Sequence, residues 1–210
     1  QLPDDTYIEA LGDQWAAHNF EIKFLTETIF QSRLFHHPYY RGNYIKSPVQ
    51  FYLGLCQDLR LDVVPFESRL LRSMSAMGQS FYDPPNVRGW LYGSNWINST
   101  TISARRQLVD YLFSPLNPEK LNGNEQKALE AAQKKGKGDF LVTDERLQSL
   151  AELAPKEIAQ HLTTYFITAP SRKTYAGALE ALLKQSDTSQ TKRLRYAVIG
   201  LLQSPAYNLC

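Results

Sequence analysis

One stretch, Gly78 to Ile97 (GQSFYDPPNVRGWLYGSNWI), restricts the fold of this chain more than any other. It holds three of the eleven glycines, two of the eleven prolines and two of the three tryptophans. Pro84 and Pro85 remove two backbone donors and hold Asp83 and Pro84 extended. Gly78, Gly89 and Gly93 accept φ > 0 at little cost. No helix runs through such a sequence, yet almost everything around it has helical periodicity. The stretch is therefore a long connection, restricted rather than floppy, between two helices. Trp90 and Trp96 are its natural anchors, each with a large apolar ring and one N–H that needs a partner. Two readings stand side by side. In one, a packed loop covers the ends of the flanking helices. In the other, Tyr82, Asp83, Asn86, Arg88, Trp90, Tyr92 and Trp96 form a binding platform suited to a sugar or a peptide.

The rest of the 210 residues predicts an all-α fold, an irregular bundle of roughly eight or nine helices. Pro3 and Asp4 or Asp5 open the first, with Ile8, Leu11 and Trp15 on one stripe. Asn19 is read as the N-cap of a second helix over Phe20–Leu34. That helix is apolar on two sides and so is expected to be sandwiched at the centre. Ser47-Pro48 starts a third helix with Val49, Tyr52, Leu53, Cys56 and Leu59 inward. Pro65 opens a fourth, with Phe66, Leu70, Met74 and Met77 inward and Gly78 as its left-handed cap. Ser99 or Thr100 caps a fifth. Residues 117–139 are polar and charged and read as a linker or insertion. Shorter helices follow, led by Thr143 or Asp144, Pro155, Ser171 and Thr188 or Ser189. The domain reading is a helical core over 1–116 carrying the loop 78–97, the polar segment 117–139, and C-terminal helices over 140–210 packing on the same core. TETIFQSRLF and IGLLQSPAY echo each other, most simply as a shared way of ending a helix.

Composition narrows the function classes. A net charge of +2 gives no electrostatic case for nucleic acid, and the lysines 134, 135 and 137 are balanced by neighbouring acids. No apolar run is long enough to cross a membrane. The first residues have no basic start and no apolar core, so they are not a signal peptide, and the chain reads as a piece of something longer. His18, His36, His37 and His161 lack metal-ligand spacing, no cofactor motif is present, and neither HExxH, CxxC, GxSxG nor a phosphate loop occurs. Cys56 lies on an apolar helix face, as a buried inert thiol does. Arg105 is the sharpest single residue, because Ile102 and Val109 put it on the apolar stripe of its own helix. A guanidinium there must be bonded to carbonyls or paired. The carbonyls of the glycine-rich stretch, or Asp83, are its expected partners.

The run GQSFYDPPNVRGWLYGSNWINSTTISARRQL resembles the signature of the bacterial domain of unknown function 1800 family. The matching positions are Gly78, Gln79, Pro84, Pro85, Asn86, Val87, Gly89, Trp90, Gly93, Trp96, Ile97 and Arg105. Lys46-Ser47-Pro48 and the closing LLQSPAY fit the same pattern, whereas Asn117–Lys156 shows no firm likeness. The resemblance implies the C-terminal part of a longer, exported bacterial protein, periplasmic or secreted. It further implies a partnership with the exported, sulfatase-like domain of unknown function 1501 family. It carries over no catalytic residue. Two functions follow as expectations. One is a binding or assembly domain that uses the loop with Lys46 and Arg105 behind it. The other is a fragment of a hydrolase, which would show a concave pocket lined by Lys46, Asp83, Asn86 and Arg105.

Overall fold

Side-chain caps written in the sequence start five of the ten described helices. The computed structural model describes residues 3–168, 172–186 and 188–210. The helices are α1 (Asp5–Ala17), α2 (Ile22–Gln31), α3 (Pro48–Asp58), α4 (Glu67–Ala76), α5 (Ser99–Leu112), α6 (Gly123–Lys134), α7 (Asp144–Ala151), α8 (Pro155–Phe166), α9 (Arg172–Leu183) and α10 (Gln190–Leu202). The fold is all-α as expected. Among the described residues the only β pairing is an isolated antiparallel bridge between Ile45 and Leu209. Among the described residues there are ten α-helices rather than eight or nine. The additional one is α6, which occupies the stretch read as a linker.

Ser47 accepts a hydrogen bond from the Gln50 amide while Gln50 reaches back to the Ser47 amide, and Pro48 takes the first helical position, as expected. Ser189 caps α10 in the expected way. Asn98, not Ser99 or Thr100, caps α5, because its side chain can accept from the Thr101 amide while Thr101 returns the bond. Asn19 does not cap α2. It is left-handed, with φ of 52°, and extends the end of α1, so that α2 starts after Glu21 without a side-chain cap. The expected helix start at Ser171 lies outside the described residues.

The core gathers α3, α4, α5 and α7 to α10. The full stripe expected for α10, Leu194, Ala197, Val198, Leu201 and Leu202, is buried. In α4, Phe66, Met74 and Met77 are buried and Leu70 is partly so. On α3 the inward face is rotated from the expected one. Phe51 and Leu55 are buried, and Leu53 is exposed. The largest departure is α2. No residue of α1 or α2 is buried, and the buried core contains nothing before Phe51. One side of α2 is covered by α1, with His18 stacked on Phe24 at 3.6 Å. Its other side, with Ile22 and Phe30, faces outward. Two apolar faces predict two packing partners, and among the described residues only α1 packs on α2. Among the described residues no helix is long and apolar enough to cross a membrane.

Candidate functional site

The stretch 78–97 splits into two halves with different fates. Its ends are built into the fold. Gly78 has φ of +96° and closes α4: its amide bonds to the Ser75 carbonyl, and the Gln79 amide bonds to the Met74 carbonyl. That pair of bonds needs a left-handed residue at Gly78. Gln79 then turns its side-chain oxygen onto the Val49 amide, 3.2 Å away, and so serves the N-terminus of α3. Trp96 is 6% exposed and lies against Gly78. The Thr101 hydroxyl donates to the Trp96 carbonyl at 2.9 Å. The Trp96 ring N–H, expected to find a partner, has none among the described residues.

Between these ends the chain stands in solvent. Tyr82, Asp83, Pro84, Pro85, Asn86, Val87 and Arg88 are all exposed, and Trp90 is half-buried. Tyr82 and Val87 are as exposed as an isolated residue, at 100% and 106%, and Tyr92 is 76% exposed. Local bonds nevertheless define the turn. The Asn86 side chain accepts from the Arg88 amide at 2.8 Å, the Gly89 amide bonds to the Asn86 carbonyl, and Asn95 donates to the Tyr92 carbonyl. A side-chain oxygen bonding the amide two residues on mimics a backbone turn, which is the use to which asparagine is suited here.

Lys46 and Arg105 do come together, but not under this loop. Arg105 is 2% exposed. Its Nη2 donates to the Lys46 carbonyl at 2.8 Å and its Nη1 to Asn208 Oδ1 at 3.1 Å. Its plane lies over the Phe51 ring, 4.9 Å from the centroid. The expected partners, the glycine-rich carbonyls and Asp83, are therefore replaced by the segment before α3 and the 3-10 turn Pro205–Asn208. The reason lies along α5 rather than around it: Thr101, one turn earlier on the same face, meets Gly78 and Trp96, whereas Arg105 has reached Phe51, the Lys46 carbonyl and Asn208. Burial without a carboxylate lowers the Arg105 pKa to about 10. Lys46 sits with its Nζ 3.8 Å from the centre of the Tyr207 ring, and burial lowers its pKa against the opposing pull of Asp58. Tyr207 in turn donates to Asp58 at 2.9 Å. Backbone bonds between Tyr44 and Cys210 and between Lys46 and Asn208 complete the joint.

The groove that Asp83 lines is otherwise built by Leu71, Arg72, Ser75, Ala76, Ser80 and Phe81, and contains neither Lys46 nor Arg105. The four residues expected to share a hydrolase pocket are thus divided between two places. Sequence reasoning passed over Gln79 as a cap, although it lies inside a quoted motif, and Asn208 as the partner of Arg105, one residue beyond the closing LLQSPAY. It also passed over the Arg69–Glu125 pair. Asn122 followed three residues later by Glu125 is a capping-box spacing, legible within the supposed linker. Among the described residues no group of His, Cys, Asp and Glu is placed to hold a metal.

Residues 1–209 match the family described as Protein of unknown function (DUF1800). The match runs through 117–156, where the motifs alone showed no likeness. No curated protein and no solved structure matches the chain.

Proposed function

Since the chain belongs to the DUF1800 family, whose description assigns no activity, its function has to be argued from its own surface, and we propose a protein-binding or assembly domain that recognises its partner with the loop 80–95. The observation that carries this reading is the exposure of Tyr82, Val87, Leu91 and Tyr92 on a turn whose backbone is nonetheless pinned at both ends. Large apolar side chains standing out on an ordered loop are available to anchor a partner. Prolines 84 and 85 limit the freedom lost on binding, which raises affinity. The resemblance supplies a place and a partner class: an extracytoplasmic protein of the sulfatase-like domain of unknown function 1501 family.

The test uses the whole chain and a purified partner of that class. Val87→Asp and Tyr92→Ala change residues that support no core contact, so helical content and thermal midpoint should stay as in the parent. Binding should fall by roughly tenfold or more for each, as for a central apolar anchor. Variants that fold and bind as the parent does would overturn the loop reading, and a parent that fails to bind would overturn the choice of partner class.

A further inference from the structure

Beside the groove that Asp83 lines, and sharing Arg72 and Ala76 with it, a cleft of about 320 Å³ lies between α4 and α5. Facing stripes of the two helices make it. On α4 these are Arg69, Arg72, Ser73 and Ala76, and on α5 they are Ala104, Gln107 and Tyr111. Residues three, four and seven apart share one helix face. The small side chains Ser73, Ala76 and Ala104 leave the helices apart where larger ones would fill the space, and Tyr52 and Tyr111 supply aromatic walls. The size falls in the range of small-molecule sites, and so does the composition, largely apolar with a few polar groups.

Charge identifies what such a cleft would hold. Arg69 is spent: its Nε and Nη2 grip both oxygens of Glu125 at 2.5 and 2.7 Å. Arg72, one turn further along the same face, makes no ion pair among the described residues. The cleft lining thus carries two guanidiniums and no carboxylate, with Glu125 bound to Arg69 and Asp83 in the adjoining groove that Arg72 also lines. The Tyr111 hydroxyl is buried beside Arg69 without a hydrogen bond of ordinary geometry. Burial raises its pKa, so it stays a proton donor at neutral pH.

We propose that this cleft binds a small organic acid, with its carboxylate on Arg72 and its apolar body against Tyr52, Ala104 and Tyr111. A guanidinium pairs with a carboxylate through two parallel hydrogen bonds. A body of modest size suits a space of about 320 Å³.

Octanoate is a suitable probe and 1-octanol its neutral control, titrated into the whole chain by calorimetry. Octanoate should bind saturably and more tightly than the alcohol. Arg72→Ala, an exposed position on α4, should weaken octanoate roughly tenfold or more, the loss of a charge-assisted contact, and leave the alcohol unchanged. Ala104→Leu should abolish both by filling the space. If that variant loses its helical signal, Ala76→Leu at the exposed edge of the cleft replaces it. No saturable octanoate binding, or binding that Arg72→Ala leaves intact in a folded protein, overturns the proposal.

Discussion

Arg105 shows how one residue can be read correctly in kind and wrongly in place. Its position on an apolar stripe required a buried guanidinium bonded to carbonyls, and it has one. Which carbonyls it meets depends on how α5 is turned against α3 and the C-terminal 3-10 turn, and no local pattern encodes that. The charge has no carboxylate to offset its desolvation, so the residue is kept for its geometry: it joins three segments far apart in sequence. Replacing it with Met removes the cost of burying charge but strands the Lys46 carbonyl and the Asn208 amide oxygen. Two acceptors left without donors cost on the order of 1–3 kcal/mol each, so Arg105→Met should lower unfolding stability by about 2 kcal/mol net. Urea denaturation measures the loss, and hydrogen exchange should show it first at residues 44–46 and 205–210. An unchanged midpoint would mean that the bridge between Tyr44–Lys46 and Asn208–Cys210 holds the joint alone. Gly78 is a second case at this scale. A Cβ there would meet Thr101 and Trp96 only at 3.8–3.9 Å, ordinary contact. The obstacle to Gly78→Ala is therefore the backbone at φ +96° and not space. The expected cost is about 1–2 kcal/mol, read from the same denaturation curve.

At the scale of elements, helix starts were the most legible feature and helix surroundings the least. Ser47, Ser189 and the Gly78 cap act through neighbours in sequence, so spacing alone reveals them. The composition of 117–139 reads as a linker or insertion, with lysines and glycines at its end, and the segment contains α6. What makes α6 a helix is a pair of contacts that composition hides. Asn122 accepts from the amides of Asn124 and Glu125, and Glu125 bonds back to the Asn122 amide and reaches across to Arg69 on α4. Gly136, with φ of 72°, then ends the helix. Asn122→Ala removes the cap and should destabilise α6 by about 1 kcal/mol. Faster hydrogen exchange confined to 123–134 is the expected signature. The Arg69 guanidinium, then the Asn122 amide, hold the Glu125 carboxyl below its ordinary value. A depressed carboxylate contributes stability that is present above the ordinary value of 4.5 and is lost as pH falls through the depressed one. Glu125→Gln should therefore exchange fast in α6 at neutral pH and lose the acid-dependent step that the parent shows. An acid step retained in the Gln variant would assign it to another carboxylate.

Across the whole molecule, stability is uneven, and the sequence hid this. The apolar residues of α2 looked like a centre, but a centre is defined by what packs on both sides, and α1–α2 lies outside the buried cluster. The interior is instead tied to tyrosine hydroxyls. Buried Tyr52 accepts from the Val64 amide at 3.0 Å, buried Tyr207 donates to Asp58, and the hydroxyl of half-buried Tyr111 is buried beside Arg69. Burial, the largest cause at each, raises all three phenols above their ordinary 10.0. The folded state then holds protons that the unfolded state releases. Their stabilising contribution is complete below pH 10.0 and is lost progressively above it. Arg105 acts with the opposite sign: its pKa of about 10 in the fold lies below the ordinary 12.5, so it gains as pH rises. One arginine against three phenols leaves the tyrosines in control. In an alkaline titration followed by phenolate absorbance and far-ultraviolet circular dichroism together, the last tyrosines should ionise in one cooperative step that coincides with loss of helix. Tyr111→Phe is the discriminating variant. Its hydroxyl has no hydrogen bond to lose, so neutral stability should be kept while the alkaline midpoint moves up. If the phenols instead ionise smoothly while the helices persist, these tyrosines are wet in solution and do not pin the core.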